Sequence, residues 1–227
     1  MIALISDLPD FAQINAESLK IKCLYDCYRC DDRVLFWQQD EARAVIAMTD
    51  GNMIIYNNGA DTAELKEFCE VLSPACIFSD YETLSAIGKI PQERINIMCR
   101  KADIGGISQG DTVTSKEIYD LLDVDGLSLP EYPYFAVDYC RRLNRGGAEY
   151  FALKGKCAAI SFNSGENAII NGIASREKGF GGVALRAILQ KNYGRTLFVC
   201  CRDTVKGFYE KNGFKPLYYG GYWVKNK

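Results

Sequence analysis

Histidine is missing from all 227 residues of the chain. That absence removes Ser–His–Asp and Cys–His arrangements, histidine bases and histidine-containing metal sites. Acid–base chemistry must fall to carboxylates, Tyr, Lys, Cys, water or backbone groups. Long apolar runs are missing as well: none approaches the roughly 18–20 residues of a membrane-spanning helix. The opening stretch, Met1-Ile2-Ala3-Leu4-Ile5-Ser6-Asp7, lacks the basic segment that begins a secretory signal. Charge of one sign is also scarce. Lys and Arg number 27 against 29 Asp and Glu, a net charge of −2, with no long basic run. A surface that tracks a nucleic-acid backbone is not expected. The expected protein is cytoplasmic, with neither nucleic acid nor membrane as partner.

Cysteine, in contrast, is abundant, at ten residues. In a cytosolic chain these read as reduced, mostly buried thiols. Cys23-x-x-x-Cys27-x-x-Cys30 has the spacing of the cluster-binding cysteines in radical SAM enzymes. The same spacing is i, i+4, i+7, one face of a helix, with Leu19 continuing the stripe. The flanks read as helix, whereas a cluster motif sits on a loop after a strand. A core stripe is therefore the expectation, and no metal.

Along the chain, residues from Asp10 to about Tyr28 read as a helix. Ala42–Met48 and Asn52–Tyr56 form a hairpin around Asp50-Gly51. Asp61 caps a helix that runs through Leu72. Ala75–Phe78 is a short buried strand, and Tyr81–Ile87 a second helix. A new block starts at Arg94, with strand Ile95–Cys99 and a Gly-rich polar loop over 104–112. Helices over Ser115–Leu122 and Pro133–Leu143 follow. Three strands come next, Ala148–Leu153, Cys157–Phe162 and Asn167–Ala174. A helix carrying Val183, Ala184, Ala187 and Ile188, a strand Leu197–Cys201, a helix Thr204–Lys211 and an aromatic strand Leu217–Val224 close the chain. This order predicts an α/β (α+β) fold around one mixed sheet. Asn52–Ile55 resembles Asn167–Ile170, and Ala75–Phe78 resembles Leu197–Cys200. Both an internal repeat and chance similarity of β-prone runs fit that observation.

The most informative stretch is Arg176-Glu177-Lys178-Gly179-Phe180-Gly181-Gly182, between an apolar strand and a helix. Glycines let a ligand approach the backbone. The first helical turn offers unpaired N–H groups and the positive end of the helix dipole. Arg176 and Lys178 add charge. The combination suits a phosphate or pyrophosphate. Gly179-x-Gly181-x-x-Ala184 also fits a dinucleotide-binding fingerprint with Asp203 as the ribose ligand. Against that, Ser175 to Lys178 separate the strand from the first glycine, and only some 45 residues remain for further βαβ units.

Arg176-x-x-Gly179-x-Gly181 before a helix resembles the acyl-CoA-binding motif of the GNAT acetyltransferases. Phe208-Tyr209-Glu210-Lys211-Asn212-Gly213-Phe214, about thirty residues on, resembles that family's Tyr-containing helix end. The resemblance covers roughly Ala148 to Val224. It implies a mixed, mostly antiparallel central sheet flanked by helices. The domains would be 1–92, a degenerate GNAT-like half if the repeat is real, and 93–227, the acyl-CoA-binding half. The implied function is N-acetyl transfer from acetyl-CoA, the co-substrate, to a small-molecule or peptide amine. The alternative is a non-catalytic acyl-CoA-binding or regulatory module.

Residue by residue, the resemblance gives Gly172, Ile173 and Ala174 the pairing with the pantetheine arm. Backbone N–H groups of Lys178, Gly179, Phe180, Gly181 and Gly182 would hold the pyrophosphate, with the Arg176 side chain beside them. Tyr209 would be the acid that protonates the departing thiolate; without that role it is a core tyrosine. Arg202 stands where many members carry Asn. Glu149, Glu166 or a held water are the candidate bases. The aromatic run Tyr218–Trp223 reads as edge-strand packing, with an acceptor pocket or a homodimer contact as further uses.

Overall fold

The computed structural model describes residues 1–106 and 108–225; Ile107, in the expected 104–112 loop, lies outside them. Contacts group the chain into two compact units. Unit 1 is Met1–Cys99 with Val199–Lys227, and unit 2 is Arg100–Phe198.

Unit 1 begins with a short strand β1 (Ile2–Leu4) and helix α1 (Ala16–Tyr28). A meander follows: β2 (Val34–Gln39), β3 (Ala44–Thr49) and β4 (Asn52–Asn57). Then come α2 (Thr62–Leu72), β5 (Cys76–Asp80), α3 (Tyr81–Ala86) and β6 (Arg94–Lys101). The chain returns to this unit for α7 (Asp203–Lys211) and β11 (Lys215–Val224). The strand order is β1-β2-β3-β4-β5-β11-β6. Only β4–β5 is parallel among β1–β2, β2–β3, β3–β4, β4–β5, β5–β11 and β11–β6.

Both faces of this sheet are covered, which is why β3 is apolar without alternation: Ala44, Val45, Ile46 and Ala47 are all fully buried. Ala44 and Ile46 join Leu65, Cys69 and Leu84 from α2 and α3 on one face. Val45 and Ala47 meet Ile21, Leu24 and Cys27 from α1 on the other. Cys23 and Cys27 are thus part of a helix face turned to a core, and Cys30 lies beyond the helix, exposed.

Unit 2 contains α4 (Ser115–Leu122), α5 (Tyr132–Asn144), β7 (Ala148–Leu153), β8 (Cys157–Ser164), β9 (Asn167–Ser175) and α6 (Phe180–Lys191). β9, β8 and β7 form an antiparallel meander. One helical layer, α4 and α5, closes over Ala152, Ala158, Ile160 and Ala174 with Ile118, Leu122, Phe135 and Tyr139. Strand β10 (Thr196–Cys201) carries the chain from unit 2 back into unit 1.

The compact units do not follow the linear division at 92/93. The reason is the last strand: β11 lies between β5 and β6, paired with both. The expected edge strand over 217–224 is therefore an interior one. The order β2-β3-β4-α2-β5-α3-β6 recurs as β7-β8-β9-α6-β10-α7-β11. Both stretches noted as similar in sequence fall on matching elements, β4 with β9 and β5 with β10.

Candidate functional site

β9 runs out at Ser175 and the chain turns through 176–179 into α6. A register shift opposite Ile160 and Ser161 leaves Asn171 as the extra residue of a β-bulge, just ahead of Gly172. A bulge breaks regular pairing and re-aims the strand beyond it. Gly172, Ile173 and Ala174 thus form the last stretch of β9 before the turn, with Ala174 turned into the α4–α5 core.

The start of α6 is open. Its N-cap is Gly179, in the left-handed region at φ 92°, and no side chain caps the helix. Phe180 N–H reaches Glu177 O at 3.3 Å, but those of Gly181 and Gly182 find no acceptor among the described residues. No acidic residue occupies the first turn. A Cβ placed on Gly179 or Gly182 would meet nothing within 4 Å. Orphan donors, the positive helix end and clear space above them are what an anion requires.

The cations divide their work. The Arg176 side chain leans onto α4: its Nη2 donates to Asp120 O and, at 2.9 Å, to Asp123 O. Those carbonyls sit at the negative end of α4, so the guanidinium acts as its cap. It also borders a depression of about 240 Å³ shared with Glu117, Asp120, Leu121, Lys154 and Gly155. Lys178 is exposed in the turn itself. A third cation, Lys156, had no signal in the sequence. Its Nζ stands 4.9 Å from the centroid of the Phe180 ring, and its carbonyl accepts from Arg176 N–H at 2.7 Å. The β7–β8 turn carries it there, a placement that only the folded meander creates.

In unit 1, Tyr209 ends α7 with its ring edge-on to Phe208 and Phe214, at centroid distances of 5.1 and 5.4 Å. It is buried, and burial pushes its phenol above the usual value, with Cys201 and Cys200 adding to the effect. The hydroxyl is therefore a donor at neutral pH. Arg202, at the N-cap of α7, pairs with Glu93 at 3.0 Å. Beside it, Asn96 Nδ2 donates to Asp203 at 2.6 Å and to Cys201 O at 3.4 Å. Of the candidate bases, Glu149 lies half-buried on β7 and Glu166 lies exposed in the β8–β9 turn.

A GCN5-related N-acetyltransferase from Sphaerobacter thermophilus superposes on this structure with a TM-score of 0.53 and 11% identity. The match spans 97% of this chain and 98% of that one. The chain has the GNAT acetyltransferase fold. A Drosophila protein aligns with a TM-score of 0.59 at 11% identity, over 92% of this chain and 90% of its own. A functionally unknown conserved protein from Staphylococcus epidermidis aligns at 0.50 and 15% identity, over 81% and 90%. At such identities the likeness is one of fold. No family model and no curated protein matches the chain. The Arg176–Gly182 stretch joins the β7-β8-β9 meander to α6. Among the described residues no helix is long and apolar enough to cross a membrane.

Proposed function

We propose that the protein is an acyl-CoA-dependent N-acyltransferase, moving an acetyl group from acetyl-CoA to an amine. The observation that carries this reading is the uncapped, glycine-lined start of α6, with Lys178 and Lys156 beside it, in a GNAT fold. The pyrophosphate would rest on the N–H groups from Lys178 to Gly182. The backbone of Gly172, Ile173 and Ala174 would pair with the pantetheine arm. Arg176 fixes the turn against α4 and so acts on the cofactor indirectly unless its side chain swings round.

In the reaction the amine nitrogen attacks the thioester carbonyl, the C–N bond forms and the C–S bond breaks. Tyr209 gives its proton to the sulfur and regains one from solvent; the surplus proton on nitrogen goes to a base. Holding the two substrates in line supplies most of the rate, and a positioned acid adds about 10²–10⁴-fold. The acceptor is a small-molecule or peptide amine.

Calorimetry with acetyl-CoA tests the first claim: absence of heat at millimolar concentration would remove it. A panel of amines assayed for coenzyme A release tests the second. A non-catalytic acyl-CoA-binding module is the rival reading, favoured by the engagement of Arg176 with α4. It predicts binding without release of coenzyme A on any amine.

A further inference from the structure

Unit 1 contains a second concentration of polar chemistry, built by α1, β5, β10 and β11. Glu17 lies in the first turn of α1 and is 1% exposed. Its Oε2 accepts a hydrogen bond from Tyr218 Oη, which in turn accepts from Ala16 N–H at 3.1 Å. Its Oε1 is buried without a partner. One turn along the same helix, Lys20 Nζ donates to Tyr222 Oη at 2.7 Å and stands 4.2 Å above the Phe78 ring. Exposure is graded, from Glu17 at 1% through half-buried Lys20, Cys200 and Tyr218 to Tyr222 at 37%. The cluster is thus a recess with a floor and a rim.

Two features need an explanation. A buried carboxylate oxygen without a donor costs free energy that folding alone does not require. And Glu17 and Lys20, opposite in charge and three residues apart on one helix, form no ion pair with each other; each turns to a different tyrosine of β11. The two attract each other only across a distance, without a direct ion pair, and two opposite charges set apart in one recess complement a ligand that carries both charges itself.

We propose that this recess binds a small zwitterionic amine of the amino-acid class, its ammonium on Glu17 Oε1 and its carboxylate on Lys20 Nζ. Oε1 is closed to solvent, so the ligand enters by displacing the more exposed side chains of Lys20 and Tyr222. The rings of Phe78 and Tyr222, with centroids 4.7 Å apart, both lie beside Lys20 Nζ. Burial pushes the Glu17 carboxyl up to about 7, with Asp80 of β5 adding to it while Tyr218 and Lys20 act against it. Cys200, another titratable neighbour, is pushed up to about 11 by burial and stays a thiol, and burial likewise raises the phenols of Tyr218 and Tyr222, which stay protonated. Near neutrality part of the Glu17 population is therefore ionised, and the carboxylate is the form that pairs with the ammonium. Use of that amine as the acetyl acceptor rests on the acyltransferase reading; its binding does not.

The test is a titration of each of the twenty standard amino acids into the wild-type protein without acetyl-CoA, followed by saturation-transfer NMR at pH 8. At least one binds, and its amide and its decarboxylated amine bind at least about tenfold more weakly. Glu17→Gln and Lys20→Met each weaken binding at least about tenfold, while Lys20→Arg restores part of it. Both leave acetyl-CoA affinity unchanged. Binding of the ammonium tightens as pH rises through about 7 in the wild type and not in Glu17→Gln. If none of the twenty binds, or if both variants bind as the wild type does, the proposal is overturned. Lys20→Met decides alone should Glu17→Gln not fold. If an amino acid binds and acetyl-CoA does not, the acyltransferase reading fails and the recess stands.

Discussion

Two helices occupy the same place in the repeated order of elements, α2 after β4 and α6 after β9, and their N-termini are opposites. α2 is closed by its own sequence. Asp61 accepts from the N–H groups of Ala63 and Glu64 at 2.9 and 3.2 Å. Glu64 adds a second carboxylate in the first turn and takes Gln39 Nε2 and Ile2 N–H, both at 2.6 Å. α6 has glycine at its N-cap, no acid in its first turn and cations nearby. One end is occupied by protein carboxylates where the other leaves room for a ligand's phosphates. The helix N-terminus is common property of the repeated order; the capping residue decides whether it supports the fold or a ligand.

The largest effect is expected when α6 is given the acid that α2 has. Gly182 is the third residue of α6, its Cβ direction is empty, and an acid near a helix N-terminus suits the dipole. Gly182→Asp should therefore leave thermal stability unchanged or slightly higher. Acetyl-CoA affinity should fall by about a hundredfold or more, roughly 3 kcal/mol, read by calorimetry. Unchanged affinity would mean that the pyrophosphate does not use this helix end.

In unit 1, Glu17 is a carboxyl that is buried without serving as a cap. Its folded value of about 7 lies above the ordinary 4.5. Between those values the native state holds a proton that the unfolded chain has released, so stability falls as pH rises through that window and levels off above it. Glu17→Gln removes the loss. At pH 8 it should be more stable than the wild type by about 3 kcal/mol, the free energy of holding one proton across that window. At pH 4 the two should coincide. Urea titrations at both values measure this, and equal stability at pH 8 would show an unperturbed Glu17.

Tyr209→Phe should lower turnover by roughly tenfold to a hundredfold while keeping acetyl-CoA affinity, because only the proton donor is lost. The ring and its packing against Phe208 and Phe214 stay. Full turnover with the true acceptor would reduce Tyr209 to a core residue.

Legibility in the sequence followed the range of the interactions. From Ser115 to Val224 the expected elements match the observed ones to within about two residues, since caps, turns and alternation are local signals. The α6 start was legible for the same reason: glycines, cations and a following apolar stripe lie within a dozen residues. The first helix was expected from Asp10 but begins after Asn15, where Asn15 and Ser18 form a reciprocal cap; residues 10–15 are held instead by contacts such as Gln13 N–H to Tyr56 Oη at 3.3 Å. β1, three residues long, exists through pairing with β2, and neither was expected. The recess was out of reach altogether, because Glu17 and Tyr218 are 201 residues apart in the chain.

The smallest effect is expected at Asp61. Asp61→Ala leaves the first-turn N–H groups of α2 without their cap and should cost about 1 kcal/mol in urea unfolding. If an open helix end were sufficient for cofactor binding, the same change would also create a second acetyl-CoA site. It should not. The connection Asn58-Gly59-Ala60 brings no cation, Glu64 remains in the first turn, and Ala60 N–H is already taken by Asn57 Oδ1 at 2.9 Å. Calorimetry on Asp61→Ala should therefore show the wild-type stoichiometry. A stoichiometry raised by one would mean that the two halves differ by their cap alone, and that the first half retains the rest of a binding site.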